Sequence, residues 1–286
     1  MPERSSYIPG VPCWVDCPQP DPQAALPFYA GLFGWEFENG MPEGAGGEYH
    51  MARIRGGDVA AISSVPEGMP PMAMWTTYIA VAGADDAAEQ VRAAGGSVFQ
   101  GPFDVMDAGR MAVVADPEGA VFCVWEAKEN IGAKVVNENG SLNFNGLATR
   151  DPKAAETFYG AVFGWKLLDI PAGKFWMLPG YGDHLEESTP GLREQMAQMG
   201  APEGFIDVVA AVNPITASGS TPPAHWTVTF AADDIDATAK RVTELGGKVL
   251  VQPHDEPWTK TATFQDPQGA TFLAAQFVAE NSELTA

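Results

Sequence analysis

Apolar residues recur at helical spacing at Ala25, Phe28, Tyr29 and Leu32, and again at Ala155, Phe158, Tyr159 and Val162. Both stretches carry the same punctuation. Asp21 and Asp151 stand where an N-cap belongs, and Gly34 and Gly164 follow as stops. Pro22 and Pro152 occupy the first helical position, whose N–H has no intrahelical partner to lose. After the first helix the pattern turns to β-forming runs at Trp35 to Phe37, Tyr49 to Ile54 and Val59 to Val65. A further strand opens near Trp75, and a helix ends at Gly95 and Gly96. Strands at Met111 to Ala115 and Val121 to Trp125 flank an Asp-Pro-Glu-Gly reversal at Asp116 to Gly119.

The order of these signals then repeats. Trp75-Thr76 returns as Trp226-Thr227, Gly95-Gly96 as Gly246-Gly247, and Asp116 to Gly119 as Asp266 to Gly269. The chain is therefore read as α+β, with four βαβββ units, two in each half. Residues 1–136 form the first domain, the polar segment 137–141 a linker, and residues 142–286 the second domain. The copies differ in one place. Trp35 to Trp75 spans 40 residues and Trp165 to Trp226 spans 61, so the second copy carries 61 − 40 = 21 extra residues. They fall in an insertion at about 180–204, with Tyr181, His184, Glu186 and Glu187 followed by a short Met-bearing helix at Leu192 to Met199. Long insertions in compact domains are often lids, and this one is expected to cover the second cleft.

At 286 residues the chain has room for two domains, each able to bury its own core. The charge balance, 16 Lys and Arg against 37 Asp and Glu, gives a formal −21. Such a surface repels nucleic acid and anionic lipid, so neither is an expected partner. No apolar run approaches a membrane span, and the first residues lack the apolar core of a signal peptide. Three cysteines make no disulfide framework; Cys13 and Cys17, four apart on a strand, lie too far apart to bridge. A reducing cytoplasm is the expected compartment.

The order Asp-Pro, Phe-Tyr, Phe-Gly-Trp, then Gly-Gly and Asp-Pro-x-Gly, in two copies over nearly the whole chain, resembles the vicinal oxygen chelate superfamily. That group includes glyoxalase I, bleomycin-resistance proteins and extradiol dioxygenases; the tandem form is similar to actinobacterial glyoxalase-like proteins. The resemblance implies tandem glyoxalase/bleomycin-resistance-like domains, each a pair of curved, mostly antiparallel sheets half-wrapped around a cleft. It also implies where a metal would be held. One ligand position lies fourteen residues before the Phe of Phe-Tyr, at Trp14 and Phe144. Another opens the strand at Thr76 and Thr227, and a third lies seven residues after the Asp of Asp-Pro, at Cys123 and Leu273. The fourth falls near Ala61 or Ile62 in the first copy. None of the six placed positions is His, Asp or Glu. Rings and alkyl groups offer a divalent cation no lone pair, and a single thiolate makes no site. No metal site and no cofactor are therefore expected, and metal-dependent glyoxalase or dioxygenase activity is disfavoured.

Rings in place of ligands suit a different use of the cleft. Strand alternation puts Trp14 with Asp16, Thr76 with Tyr78, and Cys123 with Trp125 on common faces, a wall a planar organic ligand could stack against. The alternative is that these rings fill a cleft that has closed into core. In the second half Phe144, Tyr181, His184, His225 and Thr227 are the candidate ligand contacts. His184 with Glu186 and Glu187 reads as a metal site, as an acid–base pair or as part of an exposed charged loop. Asp16 reads as recognising a cationic ligand or acting as a base, and His225 as a proton carrier or otherwise a hydrogen-bonded structural residue. His50 and His254 show no recognisable partner, and Asp116 and Asp266 read as local turn caps. The expected function is metal-independent binding of a small molecule, a drug or secondary metabolite, serving antibiotic resistance or secondary metabolism. The alternatives are a glyoxalase-like lyase, isomerase or hydroxylase-like enzyme acting on a small carbonyl or aromatic substrate, and a purely structural role with both clefts closed. The duplication allows a monomer in which the halves act as a pseudo-dimer, or a homodimer.

Overall fold

The computed structural model describes residues 3–42, 46–216 and 222–284. In the first half β1 (Pro12–Gln19), α1 (Pro22–Phe33), β2 (Glu36–Asn39), β3 (Tyr49–Ile54) and β4 (Gly57–Ser64) make one βαβββ unit. The next is β5 (Thr76–Ala80), α2 (Ala84–Ala93), β6 (Ser97–Val105), β7 (Gly109–Ala115) and β8 (Val121–Ala127). The second half repeats them. Its first unit is β9 (Leu142–Thr149), α3 (Pro152–Phe163), β10 (Lys166–Ile170), β11 (Gly173–Met177), the inserted α4 (Tyr181–Ser188) and α5 (Leu192–Gln198), then β12 (Val208–Pro214). Its second is β13 (His225–Ala231), α6 (Ile235–Glu244), β14 (Lys248–Glu256), β15 (Thr259–Gln265) and β16 (Thr271–Phe277).

The punctuation works as read. Asp21 and Asp151 accept hydrogen bonds from N–H groups in the first turns of α1 and α3, and Gly34 and Gly164 end them at φ 71° and 73°. Two elements escape the pattern. The edge strand β6 has no clean alternation, because it is largely exposed and interrupted by Gly101 and Pro102. The charged loop allowed at His184 is instead the helix α4, anchored through buried Tyr181.

The two sheets of each half expected from the resemblance are one. β1 pairs antiparallel with β5, as β9 does with β13, so the orders run β2-β3-β4-β1-β5-β8-β7-β6 and β10-β11-β12-β9-β13-β16-β15-β14. Only the pairs β1–β4, β5–β8, β9–β12 and β13–β16 are parallel.

The cores are not private to the halves, which corrects the expectation of two self-contained domains. Helix α1 buries Phe28, Tyr29 and Phe33 against Phe230, Phe264 and Phe272 of the second half. Helix α3 buries Phe158, Tyr159 and Val162 against Val91 and Phe122 of the first. The motifs that mark the repeat meet at these crossings. The Tyr29 hydroxyl donates to Asp266 (2.9 Å) and accepts from the Trp75 indole (3.2 Å); Tyr159 does the same with Asp116 (3.0 Å) and Trp226 (3.1 Å). Trp35 donates to the Gly140 carbonyl and Trp165 to the Gly10 carbonyl, both at 2.8 Å. The second glycine of each Gly-Gly pair is needed for the same contact. A Cβ at Gly96 would sit 2.8 Å from the Phe158 ring, and one at Gly247 would sit 2.9 Å from the Phe28 ring.

Asp116 and Asp266 thus cap their turns, as expected, and also receive a phenol from the other half. The linker 137–141 is not a loose tether: Ser141 is buried and the Gly140 N–H donates to the Ala231 carbonyl. All three cysteines are free and buried. Among the described residues no helix is long and apolar enough to cross a membrane.

Candidate functional site

Helices α3 and α6 cover one face of the second sheet, where Trp226, Val228 and Phe230 point. The alternate residues face the other way, onto a cavity of about 840 Å³. Its floor is built from Phe144, Gly146, Ala211, Thr227, Thr229 and Leu273. The insertion roofs it, with Tyr181 and Leu185 from α4, Leu192 and Met196 from α5, and Met199 beyond. Trp258 and Phe277, stacked at 6.4 Å between centroids, stand at one side. A Cβ at Gly200 would lie 3.3 Å from the Trp258 ring, so the end of the insertion meets that indole across the opening. Trp258 holds φ 66°, a left-handed conformation rare for an aromatic residue and of the kind that clusters at ligand clamps. Arg4 and Tyr7, from the opposite end of the chain, complete the wall.

The first half builds the same frame, but among its described residues the equivalent face is filled by side chains. Pairing register aligns the two residue by residue. Asp16 pairs with Ala61 as Gly146 pairs with Ala211, and Tyr78 pairs with Trp14 and Cys123 as Thr229 pairs with Phe144 and Leu273. Met111 pairs with Trp125 as Thr261 pairs with Ala275. At five of these the first half has the larger side chain, Trp14 for Phe144, Asp16 for Gly146, Tyr78 for Thr229, Met111 for Thr261 and Trp125 for Ala275; at Cys123 against Leu273 the second half does. Trp14, Tyr78, Cys123 and Trp125 are 4%, 8%, 2% and 8% exposed and pack with Ala61 and Met111 into one cluster. Thr76, paired with Asp16, stays half-buried.

Asp16 is the polar centre of that cluster. Its carboxylate accepts from Tyr78 (2.7 Å) and Tyr49 (3.3 Å), and Trp14 donates to the same Tyr49 hydroxyl at 2.9 Å. Burial pushes its pKa up to about 6, against the pull of the hydroxyls of Tyr78, Tyr49 and Thr76. Burial likewise holds the Cys123 thiol far above its usual range.

Of the residues singled out in the sequence, Phe144, Thr227 and Tyr181 come together around the cavity. His225 is on the same strand face as Thr227 but at its start, where Nδ1 lies 2.8 Å from the Pro223 carbonyl; it does not line the cavity, and nor does His184. His50 and His254 do have partners: Glu48 at 2.9 Å and Glu256 at 3.1 Å. Sequence reasoning missed Arg4, Tyr7, Phe175, Asn213 and Trp258 as cavity-lining residues. Asn213 could have been found by counting along the repeat from Ser63; Arg4 and Tyr7 could not, because the first half's N-terminal segment lines the second half's cavity.

The register also settles the fourth position of the implied metal set. Ala61 faces the cleft cluster and Ile62 the other core, so the second-half set is Phe144, Ala211, Thr227 and Leu273. One hydroxyl and three hydrocarbon side chains do not fit a divalent cation. Among the described residues no group of three His, Cys, Asp or Glu side chains is placed to hold one.

The model of the Glyoxalase/Bleomycin resistance protein/Dioxygenase superfamily matches residues 14–124 and 141–273. The chain is 39% identical over 284 residues to "Putative glyoxylase CFP32" of Mycobacterium bovis, covering 95% of this chain and 97% of that protein. It is 35% identical over 285 residues to "Anthracycline biosynthesis protein DnrV" of Streptomyces peucetius, covering 94% of each. Among solved structures, the Mn(II)-bound glyoxalase from Novosphingobium aromaticivorans superposes with a TM-score of 0.58 at 15% identity, covering 94% of this chain and 83% of that one. The 2,3-dioxygenase LapB from Pseudomonas sp. KL28 gives 0.57 at 12% identity, covering 94% and 93%. At these identities the two structures speak for the fold alone.

Proposed function

From the premise that this chain belongs to the Glyoxalase/Bleomycin resistance protein/Dioxygenase superfamily, we propose that it binds a flat, largely apolar small molecule in the second cleft without a metal. The observation that carries this is the cavity of about 840 Å³, floored by the sheet and roofed by an insertion that only the second half possesses. A space of that size, lined mainly by rings, methionines and aliphatic side chains with a few polar groups, suits a drug-sized ligand. Trp258, Phe175 and Phe144 offer faces for stacking. The relative whose name places it in anthracycline biosynthesis supports a polycyclic aromatic ligand, and with it a place in secondary metabolism. The enzymatic reading needs a group to move a proton at the ligand. Asp16 is buried in the other half and His225 lies outside the cavity, so neither candidate reaches a molecule held there.

A thermal-shift screen with hydroxylated polycyclic aromatics and glycopeptides tests the reading, because a compound that binds the fold raises its midpoint. A chain lacking residues 182–200 that still folds should then lose the shift. No shift from any compound, or an undiminished shift in the deletion variant, would falsify the proposal.

A further inference from the structure

The cavity has one cationic corner. Arg4 and Glu256 are the charged side chains that line it, and Glu256 is already engaged by His254 at 3.1 Å. Among the described residues Arg4 is not engaged by any acid. In a chain of net charge −21, Arg53, Arg55, Arg92, Arg110, Arg150, Arg193 and Arg241 each have a carboxylate within 4 Å. Among the described residues Arg4 is the exception. Its backbone N–H is tied to the Lys134 carbonyl at 2.8 Å, and its guanidinium makes one contact, from Nη2 to the Tyr181 hydroxyl at 3.4 Å.

That contact fixes the polarity of the corner. Tyr181 is 8% exposed and accepts from Arg4, while its own proton has no acceptor among the described residues. Neighbouring Tyr7 already donates its proton to the Ala133 carbonyl at 2.6 Å. The hydrogens still free at this corner are four of the five guanidinium N–H groups and one phenolic O–H. Burial raises the Tyr181 pKa while Arg4 lowers it, so the phenol stays a donor at neutral pH. A guanidinium with a free phenolic O–H beside it is complementary to an ionised oxygen pair.

We infer that the second cleft selects a ligand bearing a carboxylate at one end of its flat body, with Arg4 and the Tyr181 hydroxyl as the groups that recognise it. The inference rests on the aromatic-ligand reading above and adds the chemical class. It also explains why the N-terminal segment crosses between the halves. The segment carries the one arginine that has no acidic partner among the described residues to a site whose floor and roof belong to the other half.

Calorimetric titration at neutral pH with anthraquinone-2-carboxylate and with its neutral carboxamide tests it. The carboxylate should bind about tenfold tighter than the carboxamide, the scale of one hydrogen bond to a charged group. Arg4→Met, which keeps the apolar stem, should weaken the carboxylate about tenfold and the carboxamide less than about twofold. Tyr181→Phe should weaken the carboxylate by a smaller factor, about threefold. Because Arg4 makes no ion pair among the described residues and only a 3.4 Å hydrogen bond to Tyr181, the melting temperature of the Arg4→Met variant should stay close to the parent's. Equal affinity for the two probes, or a preference that survives Arg4→Met, overturns the carboxylate assignment while leaving the aromatic reading standing. Binding of neither probe overturns both.

Discussion

The two clefts of this chain share a backbone and differ in what hangs from it. On the first sheet, Trp14, Tyr78, Met111 and Trp125 close over the face and bury a carboxylate among hydroxyls. On the second, the register partners are Phe144, Thr229, Thr261 and Ala275, and the space they leave is roofed by α4 and α5. Duplication supplied two copies of one concave face. The copy with large side chains is core, where tight packing supplies stability. The copy with small ones is a cavity, whose exposed apolar walls have to be covered by an insertion or a ligand. If the second cleft binds as proposed, stability and binding lie in different halves, and substitutions should separate them.

Trp125→Ala gives the largest effect, because nothing can fill the hole an indole leaves in a packed cluster. It should destabilise the fold by about 3–5 kcal/mol in urea unfolding, yet leave ligand affinity in the second cleft unchanged once the protein is folded. An affinity that falls with it would mean the halves are coupled. The reverse exchange, Thr229→Tyr with Ala275→Trp, copies the first half's side chains into the second. It should lower ligand affinity at least about a hundredfold with little loss of stability, since the rings enter space that is already empty. Undiminished binding would place the ligand elsewhere.

Asp16 offers a smaller and pH-dependent test, since Gly146 stands at its place in the open half. Its pKa in the fold, about 6, lies above the unfolded value of 3.8. The native state therefore holds this proton more tightly, and the stability that goes with it is present below about pH 4 and lost as pH rises through 6. Asp16→Asn cannot titrate. Relative to the parent it should gain roughly 1.4 kcal/mol between pH 5 and pH 8, about one pKa unit's worth. A constant difference between the two proteins over that range would show that Asp16 titrates normally.

How much of this was legible in the sequence follows from where each signal lives. Helix caps, the repeat and the succession of helices and strands are local or periodic, so Asp21, Gly34 and the Phe-Tyr helices read directly. Which cleft is open did not read, because Trp14 and Phe144 look alike until the neighbours on other strands, Trp125 against Ala275 and Tyr78 against Thr229, are brought beside them. The cationic corner was further from view. Arg4 lies 177 residues from Tyr181, and no spacing rule joins the start of one half to the lid of the other. The repeat motifs were legible but their work was not: Asp116 reads as a turn cap until Tyr159 arrives from across the molecule.

The two crossings between the halves allow the finest comparison, because their partners differ by one residue. Tyr159→Phe removes a hydroxyl that both accepts from Trp226 and donates to Asp116, leaving an indole N–H and the Asp116 Oδ2 without that partner in a buried site. It should cost about 1–2 kcal/mol. Tyr29→Phe removes the same hydroxyl at the other crossing, but there the Asp266 Oδ2 also accepts from the Gln19 amide at 2.6 Å and keeps a donor. Its cost should be smaller by roughly half, since one orphan is left instead of two. Denaturant unfolding of both variants checks the ranking. If Tyr29→Phe is as damaging as Tyr159→Phe, the Gln19 amide is not sustaining Asp266, and the halves are held more evenly than their hydrogen bonds suggest.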